Sequence, residues 1–443
     1  GLNVVSFSGG ISPAVTVYGT ATLNNTNIYG TKLSALDTDP MWPVYDLAVG
    51  NYSKTIVKDS KIGSVITWTH SYLEFNNTEV DTIDTRAFHS SQKGETVIGA
   101  GTTVGRLNVV PESNYDTKYG YSLTIKNGAT VKILDISKIT NMTYIIIEEG
   151  AVVEKVITAA GEMTYEEYLE SKSPIGQLKL AFKNGGEFKV EENLTLTETL
   201  ELPEDKSLVI DLNGKTLELK DEDDNKGKII SKGNLTIKNG SLENNDIEKN
   251  VLIDKEEGSL TLEGVTVNDK ASYSGTTIFN RKGLMTINNS TINIESENTG
   301  CKTGDVESCG NTAIENYGDL VITNSTIKSD ASVRYGVTTH SGNVTINNVN
   351  FDVKRRGGMA ITGGNITVDN SIVNSYWYAF YVANFDGDTT LTINSGTYTA
   401  SGYSIIYNGN AVETYKGMVT VNGGTFKTQS NKRNLLTLDG TPA

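Results

Sequence analysis

The chain has 443 residues, 37% of them apolar, with 44 glycines and a formal net charge of −15. The length admits a substantial core. The acidic balance argues against nucleic acid and anionic membrane surfaces as partners, because both are held by basic patches, and no run of about 20 apolar residues is present to span a membrane.

The first recognisable phrases are "ATLNNTNI" (21–28), "TIVKDSKI" (55–62), "LEFNNTEV" (73–80) and "LTIKNGAT" (123–130). Each alternates apolar and polar residues, the period of a half-buried strand. Each breaks at one polar residue: Asn25, Asp59, Asn77 or Asn127. "YIIIEEGAVV" (144–153) adds strand-forming sequence with a turn at Glu149-Gly150. Residues 1–160 are therefore expected to form an irregular N-terminal β-helix.

The period then changes, and 161–186 reads as a helical cap or linker. Thr164 with Glu167 is a capping-box pair, and Ser173-Pro174 suits a second N-cap and first helical position. Ile175, Leu178, Ala181 and Phe182 make an apolar stripe, and Gly185 can end the helix. Because the end of a stacked array exposes core and strand edges, this segment is expected to cap the part that follows it.

Residues 187–443 are more regular. Leu235, Leu260, Met285, Leu320, Val344, Ile366, Leu391 and Val419 each open nearly the same phrase, 22 to 35 residues apart. A second alternation follows each phrase, and a third short apolar stretch precedes the next glycine. Three short strands per turn of about 25 residues describe a rung of a parallel β-helix. Asn239, Asn289, Asn324, Asn348 and Asn370 fall between the first and second strands, with Gly264, Ser395 and Gly423 at the same place in other rungs. A left-handed corner suits Asn and Gly. The sequon Asn289-Ser290-Thr291 is thus read as a corner, not as a sugar acceptor. Roughly sixteen rungs at about 4.8 Å each would span about 80 Å.

These phrases resemble the rungs of the pectate-lyase-like superfamily, and especially those of Gram-positive surface and adhesin-like proteins. The resemblance implies an all-β, right-handed parallel β-helix, here in two consecutive parts. It also implies that ligands lie along the sheet that contains "AIEN" (313–316). Aligning those strands gives an inward column of Ile278, Ile314, Val337, Ile361, Phe380 and Ile405. A shallow outward track holds Thr277, Ala313, Gly336, Ala360, Ala379 and Ser404. A second outward column holds Phe279, Glu315, Thr338, Thr362, Tyr381 and Ile406, with Glu315 its single carboxylate.

Hydrolysis of a glycosidic bond generally needs two carboxylates about 5–10 Å apart. The paired aspartates, Gly-His-Gly and Arg-x-Lys of polygalacturonase relatives are missing, and no acidic calcium cluster of the lyase kind lines up with Arg355-Arg356. His70, His89 and His340 fall in different rungs, and His340 reads as a solvated turn residue. No catalytic residue and no metal ligand is assigned. The strongest local anomaly is "SYWYAFYVANFDGD" (375–388). Alternation sends Trp377 and Tyr381 to the face opposite Tyr378 and Phe380. Tyr376, Trp377, Tyr381 and Phe385, with Asp386, Asp388 and Glu315, are the candidate ligand-binding residues, a stacking platform edged by acceptors of sugar hydroxyls. No cofactor is expected; Asp386-Gly387-Asp388 would admit Ca²⁺ alone. Cys301 and Cys309 share one insertion, which suggests a local disulfide and export.

The expectation is a secreted or cell-surface bacterial protein, non-catalytic, whose rigid β-helix binds an extracellular glycan or a host or microbial surface protein. The alternative is a polysaccharide lyase or glycoside hydrolase of the same fold.

Overall fold

In a computed structural model, the structure describes residues 2–6, 14–30, 45–50, 52–67, 70–87, 94–111, 121–139, 145–222, 226–245, 251–270, 275–295, 311–329, 333–354, 356–409, 414–428 and 436–439. The chain is all-β, a parallel solenoid of about twelve turns. Cys301 and Cys309 lie outside the described residues.

The chain divides into two compact units, 1–170 and 171–443. The first holds a ten-stranded and a six-stranded sheet; the second holds an 18-stranded and a ten-stranded sheet. Nearly all strand pairs are parallel, as rung stacking requires. One exception is the hairpin of Val152–Thr158 with Gly161–Thr164.

In the second unit the eight repeat markers form one interior column. Leu235 pairs with Leu260, Leu260 with Met285, and the register continues to Val419. All but Val419 are fully buried. Each such side chain contributes about 1.5–3 kcal/mol of burial, and the identical register puts that gain at every turn. A second interior column is polar: Ser231, Lys255, Asn280, Asn316 and Thr339. Asn280 Nδ2 donates to Asn316 Oδ1 at 2.6 Å, and the Lys255 amine donates to the carbonyl of Lys282. Burial pushes that amine down to about 8.

Asn239, Asn289, Asn324, Asn348 and Asn370 have φ between +45° and +59°. Their side chains reach the neighbouring rung: Asn348 Nδ2 donates to Asn324 Oδ1 at 2.9 Å. The serine that follows several of them is buried and accepts a backbone N–H of the preceding rung, as Ser290 does from Val265 at 3.1 Å and Ser371 from Val349 at 3.1 Å. The sequon residues thus have a structural purpose, with Asn turning the corner and Ser stitching it. Asn25, Asp59 and Asn77 behave likewise in the first unit, but at 127–128 the left-handed residue is Gly128 and not Asn127.

The 161–186 segment holds two helices. α1 (Tyr165–Glu170) starts at the capping box, with Thr164 N–H donating to Glu167 Oε2 at 2.9 Å and Glu167 N–H donating to Thr164 Oγ1 at 3.2 Å. α2 (Pro174–Asn184) starts at Ser173, whose hydroxyl accepts from Gly176 N–H. The segment does not act as a single cap. Tyr168 of α1 joins the core of the first unit, whereas Leu178 and Phe182 of α2 join that of the second.

Candidate functional site

The ten-stranded sheet of the second unit carries a groove of about 1110 Å³. It crosses six strands: Thr276–Asn280, Asn311–Asn316, Val333–Thr339, Gly357–Ile361, Tyr378–Ala383 and Ile406–Gly409. Six strands at about 4.8 Å give a track of roughly 24 Å, long enough for several sugar rings.

The register corrects two of the expected columns. Ile278, Ile314, Val337 and Phe380 do point inward, but their partners are Met359 and Ile406, not Ile361 and Ile405. The outward column is Phe279, Glu315, Thr338, Ala360, Tyr381 and Tyr407, so Thr362 and Ile406 leave it. The small residues Thr277, Ala313, Gly336 and Ala379 make no outward track, because they are buried. A Cβ on Gly336 would meet Phe351 Cδ1 at 2.9 Å, and one on Gly358 would meet Val373 Cγ1 at 2.5 Å. Two adjacent positions therefore face inward at this corner, and the groove-facing residues lie three apart instead of two. Tyr378, expected inside opposite Trp377, consequently lines the groove together with Trp377 and Tyr381.

Five rings cluster there. Tyr381 stacks on Tyr407 with centroids 5.3 Å apart and planes at 3°. Tyr378 lies 5.5 Å from Tyr381 and 5.7 Å from Tyr403, and Trp377 meets Tyr403 edge-on at 5.1 Å. Arg356 lies over Trp377 at 4.9 Å. Tyr335 packs beside Tyr381 at 6.1 Å, and burial pushes its phenol up to about 12, so it stays neutral. Trp377 and Tyr381 are half-buried, and Phe385, 52% exposed, lines the same groove. Tyr376 is exposed and stands outside the groove lining. Asp388 also stands outside it and accepts the Lys416 N–H at 2.7 Å.

The other end of the groove is built on His340. Its Nδ1 is 2.7 Å from Asp386 Oδ2 and 3.0 Å from Thr362 Oγ1. Its Nε2 is 3.2 Å from Glu315 Oε1, an ion-pair separation too poorly aligned to count as a hydrogen bond. Glu315 Oε2 accepts from Thr276 Oγ1 at 2.7 Å. Tyr317 stacks flat on the imidazole at 4.2 Å, Phe279 stacks on Tyr317 at 5.7 Å, and Arg281 covers Phe279 while forking onto Asp254. Only 16% of the His340 side chain is exposed, so it is no solvated turn residue.

Burial opposes a charged imidazole, but the contacts with Glu315 and Asp386 outweigh it and raise the His340 pKa. The same contacts work in reverse on the acids. His340 first, then Thr276, lowers Glu315 against its burial. Burial raises Asp386, and the bonds from Thr362 and His340 more than compensate. Two carboxylates meet one imidazole, Glu315 3.2 Å from Nε2 and Asp386 2.7 Å from Nδ1, and both are shifted toward the ionised form. Of the residues expected from sequence to bind a ligand, the groove brings together Glu315, Trp377, Tyr381 and Phe385, with Asp386 against His340. Sequence reasoning missed Tyr335, Tyr403 and Tyr407, whose only signal was their place before each glycine-ended strand, and it misread His340, whose partner Asp386 is two rungs away. Among the described residues no group of three His, Cys, Asp or Glu side chains is placed to hold a metal ion, and no helix is long and apolar enough to cross a membrane.

No family model matches this chain, and no curated protein or solved structure matches it either.

Proposed function

We propose that the groove binds an extended glycan, and that the protein is a non-catalytic, adhesin-like binder on a bacterial surface or secreted from it. The observation that carries this is the cluster of Trp377, Tyr378, Tyr381, Tyr403 and Tyr407 on an open track. Aromatic faces beside polar acceptors suit sugar rings, which present apolar C–H faces and hydroxyl edges. The rigid solenoid presents that track without reordering on binding, which favours affinity. Binding of the full chain to a glycan array, with Trp377→Ala as the comparison, tests the reading. Binding of no glycan would discard it.

Glu315 and Asp386 at one imidazole favour a second reading, glycan cleavage. Its weakness is chemical. A glycosidase needs one carboxylic acid that still carries its proton, and the imidazolium lowers both groups. Release of reducing ends or unsaturated products from a bound polysaccharide, abolished in Glu315→Gln, would transfer the reading to an enzyme.

A further inference from the structure

We infer that the glycan carries a single anionic group, a carboxylate or sulfate, seated between Arg334 and Arg356 at the aromatic end of the groove. This rests on the glycan reading above and names the chemistry of its ligand. Tyr335 pairs with Gly357, and Gly357 with Tyr378. The residues just before them, Arg334, Arg356 and Trp377, therefore stand on three successive rungs. All three line the groove.

Among the described residues no carboxylate lies within ion-pair distance of Arg334 or Arg356, although the chain carries 53 Asp and Glu and the third arginine of the groove is served: Arg281 forks onto Asp254. Arg334 Nε is buried without a hydrogen-bond partner. A buried charged donor left unpaired is costly, and two like charges on neighbouring strands add repulsion. An anion bridging the two guanidinium groups would remove both penalties, with the planar fork geometry that suits carboxylate and sulfate. Both positive charges also reach Tyr335 and Tyr381, so they converge on the rings where a sugar would stack.

The opposite end limits the charge to one. Glu315 lines the groove there beside His340, and Asp386 holds the other ring nitrogen of that imidazole. A chain with an acid on every sugar would meet them as like charges, whereas a neutral chain with one acidic residue would not.

The test is titration of the full chain with four length-matched oligosaccharides: neutral, capped by one uronate, capped by one sulfate, and uronate throughout. A singly charged ligand should bind about tenfold tighter than the neutral one, the usual gain from a charge-assisted pair. Whichever cap wins identifies the anion. Arg334→Gln and Arg356→Gln should each erase that preference, read as the ratio of charged to neutral affinity within each variant, with Arg356→Lys retaining part of it. The preference should also fade in 1 M salt. Equal affinity for neutral and charged ligands, tightest binding of the polyuronate, or tighter binding of a sulfotyrosine peptide would overturn the inference while leaving the groove a binding site. Binding of none of the four would remove the glycan reading as well.

Discussion

Neighbouring aromatic residues in the groove strand have opposite assignments. Phe380 is fully buried against Tyr398, and Phe380→Ala should cost about 3–5 kcal/mol of stability. Trp377 lies in the groove, so Trp377→Ala should weaken glycan binding by about 1–2 kcal/mol with little change in a urea melt. A large loss of stability in the tryptophan variant would make the ring a packing element. His340 gives a pH prediction. Its folded pKa is raised above the ordinary value of about 6.5, so its stabilisation is complete below 6.5 and is lost as pH rises through the folded value. Glu315 and Asp386 are lowered, so their contribution is complete above about 4.5 and fades as pH falls through their folded values. The clamp is strongest between about pH 4.5 and 6.5. An NMR titration of the His340 ring should give a midpoint above about 6.5 that moves down in Asp386→Asn. A midpoint at or below the free value would refute the clamp.

Corners and caps were the most legible elements, because each requires a specific residue type. Asn348 holds φ +55° and bonds to Asn324. Asn348→Val should cost about 1–2 kcal/mol, the penalty of a left-handed backbone for an ordinary L residue. Asn348→Gly should cost clearly less, which a pair of thermal melts would show. Similarly, Ser173→Ala should lower stability by about 0.5–2 kcal/mol, because the hydroxyl accepts from Gly176 at 3.0 Å. Strand interiors were legible where alternation is strict, as in the column from Leu235 to Val419. They were misread in the groove strands, where the close approach of Gly336 to Phe351 and of Gly358 to Val373 turns two consecutive residues inward. Sequence alone does not show that crowding, since it comes from another strand of the same rung.

At the scale of the molecule, the two units have separate cores with no residue in common, and each has its own helix. A fragment of residues 171–443 should therefore fold with strand-rich circular dichroism, unfold cooperatively and keep the full chain's glycan affinity. Loss of the cooperative transition would show that the second solenoid needs the first.

The repeat by itself determined the parallel β-helix, the interior column from Leu235 to Val419 and the asparagine corners. Each rung repeats the same local demands, and only one backbone shape meets them all. It also located the aromatic stretch and two of the acids. The groove was decided by tertiary structure. Stacking brings Arg334, Arg356 and Trp377 onto adjacent rungs, and it places Asp386 against His340 across 46 residues of chain. Register and the pitch of the solenoid bring such groups together, and neither is a property of any local stretch of sequence.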